Sequence, residues 1–265
     1  MFLSAIKTAL VENAMSRWLK PLPLTVAIAV LSIITAGCAT NSAKGRFLNA
    51  LQNTNAYGGP GATIDVYINQ TKIFSSLGFA SPSSTYTNIA SGNDTFEGFE
   101  SPADTSLVFN NLTENLAGGD QYTLIAAGLA GGSGSLAPTI IYQHDNNDVP
   151  PANTAEFRVI NASPDSPPSV DVWIIPEPTT GPEGSCSSNP NCVYSGLAYT
   201  NISKYIPLTA VSGGFGFFVT FHNSTSLIAK STVPGTDGSI TTLVLVDTQN
   251  GSFMSPTPVI LEDLQ

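Results

Sequence analysis

Four short blocks occur twice in this chain, in the same order, and a duplicated pattern constrains the fold more than any single motif. Arg46-Phe-Leu-Asn-Ala50 matches Arg158-Val-Ile-Asn-Ala162, and Thr63-Ile-Asp-Val-Tyr-Ile68 matches Ser169-Val-Asp-Val-Trp-Ile174. Gly78-Phe-Ala80 matches Gly196-Leu-Ala198, and each is soon followed by a tyrosine, Tyr86 or Tyr205. Tyr122-Thr-Leu-Ile-Ala126 matches Thr241-Thr-Leu-Val-Leu245. Each copy spans about 100 residues, the size of one β-sandwich domain.

The blocks read as strands. Ile64, Val66 and Ile68 alternate with Thr63, Asp65 and Tyr67, and Val170, Val172 and Ile174 repeat that period of two. Phe215, Phe217, Val219 and Phe221 line one face of a third run, with Gly216, Phe218, Thr220 and His222 opposite. The stretch 240–246 is almost continuously apolar and β-branched, as a central strand would be. Gly, Pro, Asn and Ser cluster between the runs, as in Tyr57-Gly-Gly-Pro-Gly61, and no segment after the leader has a helical period. The expected fold is all-β: two tandem Ig-like or transthyretin-like antiparallel β-sandwich domains after an N-terminal signal helix.

The leader carries an address. Leu22 to Ala36 is a 15-residue apolar run, short for a membrane span and long enough for the hydrophobic region of a signal peptide. Arg17 and Lys20 precede it, and Met15 is better spaced than Met1 as a start. Thr35-Ala-Gly-Cys38 follows directly and resembles the lipobox of bacterial lipoproteins, with Thr35 where a Leu is usual. That resemblance implies cleavage before Cys38 and lipid on its thiol, with Ala39 favouring the outer membrane. Several acyl chains hold a protein on a membrane where one does so only weakly. The expected organisation is a lipoprotein signal peptide over 1–37, a polar leader over 38–44, a first sandwich over 45–145, a linker over 146–154, a second sandwich over 155–250 and a C-terminal tail over 251–265.

Charge narrows the partners. The whole chain has 9 Lys+Arg against 19 Asp+Glu, a formal net charge of -10. Without residues 1–37 the balance is 6 basic to 18 acidic side chains. Such a surface repels phosphate backbones, so no nucleic acid is expected, and it repels anionic headgroups, so the lipid would have to hold the chain to its membrane.

Phe157-Arg-Val-Ile-Asn-Ala-Ser-Pro-Asp-Ser-Pro-Pro-Ser-Val-Asp-Val-Trp173 resembles the opening of the bacterial domain-of-unknown-function 4397 family. That family begins with a strand, an Ala-Ser-Pro-Asp-Ala-Pro-like turn and a Val-Asp-Val-aromatic strand; the turn here is Ala162-Ser-Pro-Asp165. The first copy carries an Asn/Gly-rich insertion, 51–62, in its place. The resemblance covers roughly residues 45–250 and implies exported proteins, often lipoproteins, with tandem β-sandwiches and no known reaction.

Few residues offer chemistry. Cys186 and Cys192 enclose Ser-Ser-Asn-Pro-Asn within an insertion that the first copy lacks, and in an exported protein such a pair forms a local disulfide. A redox pair would show Cys-x-x-Cys at a helix start, and a zinc site would need two more ligands. Asp65 and Asp171 recur at one strand position, as cation ligands, as catalytic carboxylates or as acceptors for a neighbouring turn or strand edge. Asp145 and Asp148 stand in a polar, proline-containing run that reads as a solvated linker, with Ca²⁺ ligation between the domains as the alternative; an EF-hand order is absent. Neither His144 nor His222 has a visible nucleophile partner, and no Gly-x-Ser-x-Gly, Walker or dinucleotide motif occurs.

The expectation is therefore a lipid-anchored cell-envelope protein that binds or scaffolds, with no catalytic residues, no metal and no cofactor assigned. Its partners would be the membrane, through lipid on Cys38, and an envelope protein or a glycan. A glycan would stack on Tyr67 and Trp173, which share the strand face of Asp65 and Asp171. An envelope hydrolase would instead need Asp145, Asp148 and His222 gathered in one cleft.

Overall fold

The structure is a computed structural model that describes residues 41–52, 63–83, 85–102, 106–164, 168–248 and 258–263. The expected signal peptide over 1–37, with Met1 and Met15, and Cys38 and Asp165 lie outside the described residues. Residues 41–265 form one compact unit.

Sixteen strands are described. The first half holds β1 (Ala43–Gln52), β2 (Ile64–Ile68), β3 (Thr71–Leu77), β4 (Thr87–Ile89), β5 (Gly92–Glu100), β6 (Leu107–Leu116), β7 (Gln121–Leu129) and β8 (Thr139–His144). The second holds β9 (Thr154–Asn161), β10 (Val170–Pro176), β11 (Cys192–Leu197), β12 (Ile206–Thr209), β13 (Phe215–Phe221), β14 (Leu227–Val233), β15 (Ile240–Leu245) and β16 (Val259–Glu262). The sheet orders β4-β1-β7-β8 and β3-β2-β5-β6 recur strand for strand as β12-β9-β15-β16 and β11-β10-β13-β14. The all-β sandwich class read from the sequence is borne out. Two details differ. β1 pairs with β7, and β9 with β15, in parallel, so each half has one mixed sheet. Val259–Glu262, expected in a tail, is the edge strand of the second half, paired with β15.

The halves stack back to back. Phe47, Val66, Phe96 and Leu124 fill the first sandwich, and Phe157, Val172, Phe217 and Leu243 the second. A third apolar cluster joins the two mixed sheets: Leu48 and Ala50 from β1, Ile125 and Ala127 from β7, Ile160 from β9 and Val244 from β15. The layers therefore run outer sheet, mixed sheet, mixed sheet, outer sheet. This explains why the first repeated block does not alternate: β1 puts Phe47 and Leu51 into its own sandwich and Leu48 and Ala50 into the joint. A strand buried on both faces reads as a near-continuous apolar run. The continuous burial of β15 has the same cause.

Because the mixed sheets bury both faces, the halves are expected to melt together. Leu48→Ala should cost about 2–5 kcal/mol, the usual range for a buried leucine, and should lower one calorimetric transition. Two resolved transitions, with only one shifted, would show halves that unfold independently.

Candidate functional site

The least expected feature of the joint is its charge. The two arginines that follow the leader, Arg46 on β1 and Arg158 on β9, are both buried between the mixed sheets. Each binds the carboxylate of the opposite half. Arg158 Nη2 donates to Asp145 Oδ1 at 2.5 Å and Nη1 to the His144 carbonyl at 3.0 Å. Arg46 Nη2 donates to Asp263 Oδ1, and Nη1 to the Glu262 carbonyl at 2.6 Å. Within its own half each guanidinium Nε reaches a threonine, Thr123 at 2.9 Å or Thr242 at 3.0 Å. Those hydroxyls donate onward, Thr123 to Asp145 and Thr242 to Asp263. Tyr86 and Tyr205 complete the exchange, donating to Asp145 at 2.7 Å and to Asp263 at 2.6 Å. Their rings lie 5.1 Å from Arg46 and 4.7 Å from Arg158.

Every member of one set has its counterpart in the other, so the joint has approximate two-fold character. Strand register places the parts: Arg46 lies beside Thr123 across β1–β7, and Arg158 beside Thr242 across β9–β15. Each aspartate follows the last strand of its half. Burial raises the Tyr86 phenol, Asp145 raises it further, and the phenol remains a neutral donor. Tyr205 is raised in the same way, by burial and by Asp263, against the opposing pull of Arg158. Burial alone would lower the Arg158 guanidinium, but Asp145, Tyr205 and Asp263 outweigh it and hold the cation.

Asp145 is therefore no solvated linker residue but part of this lock. The connector is tied down too: Asn146 N–H donates to the Tyr205 hydroxyl at 3.1 Å, and its side chain to Glu156 at 3.1 Å. Asp148 is exposed, its N–H held by Asn146 Oδ1. Among the described residues no group of three His, Cys, Asp or Glu side chains is arranged to hold a metal ion.

The recurring aspartates have a shared backbone role. Asp65 accepts the Ser76 N–H at 2.6 Å, and Asp171 the Gly196 N–H at 2.9 Å. Ser76 and Gly196 both have left-handed backbones, φ 53° and 74°, where the β2–β3 and β10–β11 ladders slip register. Such a bulge leaves an N–H that the ladder does not use, and the aspartate takes it. Lys72 also reaches Asp65 at 2.7 Å. Asp171 is fully buried and accepts from Ser195, the Asn223 N–H and His222 Nδ1 at 2.7 Å. Burial pushes its carboxyl up, but the bonds from His222, Asn223, Gly196 and Ser195 outweigh that and hold it below the usual carboxylate value. His222 is thus oriented by Asp171, while Asp145 is occupied by Arg158; the three hydrolase candidates share no hydrogen bond among the described residues.

The aromatic platform expected for a glycan is not there as a pair. Trp173 is fully buried with Phe218 and Cys186, and its Nε1 donates to Thr220 at 3.1 Å. The lid over it is the 177–191 insertion, stapled by the Cys186–Cys192 disulfide, whose Cα atoms are 5.1 Å apart. Tyr67 is half-buried, edge-on to Phe99 at 5.3 Å and with Lys72 5.4 Å above its ring.

The geometry defines a class, a double β-sandwich clamped by exchanged ion pairs. The family model of the Domain of unknown function (DUF4397) matches residues 46–173, from the lock's Arg46 to the covered Trp173. The resemblance read from the sequence is borne out over that segment. No curated protein matches the chain.

Two outcomes follow. Removing one partner of a buried ion pair leaves an uncompensated charge, so Arg158→Met or Asp145→Asn should cost about 3–5 kcal/mol in denaturant unfolding. The double variant should lose clearly less than the sum of the two. Because its carboxyl is lowered in the fold, Asp171 contributes stability above the unfolded value of 3.8 and loses it as pH falls through the folded value. Asp171→Asn should therefore be destabilised at neutral pH, with the deficit shrinking below about pH 4; a deficit unchanged by pH would refute the linkage.

Proposed function

We propose that the chain is a bacterial cell-envelope protein, anchored through lipid on Cys38, whose interlocked sandwiches bind or scaffold and carry out no reaction. The observation that carries this reading is the lipobox-like Thr35-Ala-Gly-Cys38 just ahead of the folded unit. β1 begins at Ala43, so an extended leader reaches only about 17 Å from the anchor. The first sandwich would ride close to the bilayer.

Surface charge supports an anchor of this kind. With Arg46 and Arg158 buried, the exposed cations among the described residues are Lys44, Lys72, Lys204 and Lys230. An acidic surface so short of cations has no electrostatic attraction to anionic lipid. Among the described residues no helix is long and apolar enough to cross a membrane. The clamp supports scaffolding: a joint fixed by ion pairs from both sides holds its two outer faces in one relation. An envelope protein is the partner this favours, because the glycan reading keeps only Tyr67, whose ring already contacts Phe99 and Lys72.

The test is the intact mass of the protein extracted from bacterial membranes, beside a Cys38→Ser variant. The expected mass begins at Cys38 and carries acyl chains, and the variant leaves the membrane fraction. A chain that starts elsewhere without lipid, in the soluble fraction, would overturn the anchor.

A further inference from the structure

The acids outside the lock include a pair that faces inward. Asp94 on β5 is 1% exposed; Asn69 Nδ2 donates to its Oδ1 at 2.6 Å, while Oδ2 has no partner among the described residues. Leaving a buried carboxylate oxygen without a donor is costly. The residue directly opposite on β6 is Glu114. Facing residues of an antiparallel pair leave the sheet on the same side, and like charges there destabilise it. That side is the interior, because Phe96 and Leu116, two residues along each strand, are core residues of the first sandwich. Glu114 is half-buried, and the exposed Tyr142 of β8 donates its hydroxyl to it.

No cation compensates the pair: none of the ion pairs among the described residues involves either acid. The β2–β3 turn offers the neutral Asn69 and Gln70. β7 brings Tyr122, whose hydroxyl lies 3.5 Å from Asp120. β8 brings Tyr142 and, at its end, His144, 3.6 Å from Asp120. β1 carries Lys44 and Arg46 on the face of Leu48 and Ala50, away from the first sandwich's interior, and Glu97 stands on the other face of β5.

We propose that Asp94 and Glu114 form a proton-holding carboxyl pair, an acid-strengthened latch between β5 and β6 of the first sandwich. On mild acidification Asp94 Oδ2 takes a proton from solvent and donates it in a hydrogen bond to the Glu114 carboxylate. The orphan acceptor becomes a satisfied donor, and the repulsion between the two facing carboxylates is relieved. Burial raises both carboxyls in the fold, against the opposing bonds from Asn69 and Tyr142. A carboxyl raised on folding contributes stability below its unfolded value, 3.8 for Asp94 and 4.5 for Glu114, and loses it as pH rises through the folded value. The latch is thus strongest in acid and weakest at neutral pH.

The test is the melting midpoint of the full chain and of Asp94→Asn across about pH 4.5 to 7.5. The variant should melt higher than the parent at the upper end, by about 3 °C, with the advantage vanishing at the lower end. A difference that does not change with pH would overturn the latch. Should Asp94→Asn fail to fold, Glu114→Gln gives the second reading: carbon-13 titration of the Asp94 carboxyl should move its midpoint down in that variant, and an unmoved midpoint refutes the pair. Millimolar Ca²⁺ that raises the parent's midpoint at neutral pH, and not the variant's, would assign the acids to a cation and overturn the proton.

Discussion

Two buried guanidinium–carboxylate pairs, exchanged between the halves, govern the relation of everything else in this molecule. Charges taken out of water cost several kcal/mol each unless every donor and acceptor is answered. Here they are answered by Thr123 and Thr242, by Tyr86 and Tyr205, and by the carbonyls of His144 and Glu262. Apolar contact alone would let two flat sheets slide. An arginine that must meet an aspartate at the far edge of the opposite half permits one register, and doing so twice permits one orientation.

The same arrangement explains which residues recur in the two halves. Recurrence follows hydrogen-bond duty more than size. Asn49 and Asn161 each donate to the carbonyl of a leucine, Leu77 or Leu197, and Ser83 and Ser203 each accept a β-strand N–H, from Phe47 or Val159. Asp65 and Asp171 each take the N–H of a bulged residue. Core positions, by contrast, exchange Phe47 for Val159 and Ala126 for Leu245, because an apolar core tolerates volume-compensated swaps and a buried polar group does not tolerate a lost partner.

Much of this was legible in the chain itself. Alternation identified β2 and β10, the apolar run identified β15, and the paired cysteines identified the staple. The lock was half legible. Arg46 and Arg158 are charged residues at the same position of an otherwise apolar repeated strand, and Tyr86 and Tyr205 recur with them; a charge in that context signals a buried partner. Their partners were hidden for physical reasons. Asp145 sits among Asn and Asp residues that look like solvent-facing linker, and Asp263 follows a four-residue strand beyond a polar stretch. Pairing between halves leaves no local spacing for a sequence pattern to record. Trp173 misleads in a related way: its strand face is exposed in a lone sandwich, and only the insertion over it makes that face interior.

The constraint of the joint falls on the mixed sheets alone, which leaves the outer sheets free to differ. They do differ. The second outer sheet buries Trp173 and Phe218 beneath a disulfide-stapled lid, and the first leaves Tyr67 half-exposed beside Lys72 and Phe99. Where β10 faces β13 with Trp173 opposite Phe218, β2 faces β5 with Tyr67 opposite Glu97. One half thus carries a closed apolar face and the other an open, charged one, on opposite sides of a rigid joint. On the proposed reading, that asymmetry would leave one surface for a partner while the other stays closed. A duplicated fold clamped through its inner sheets can supply it without disturbing the clamp.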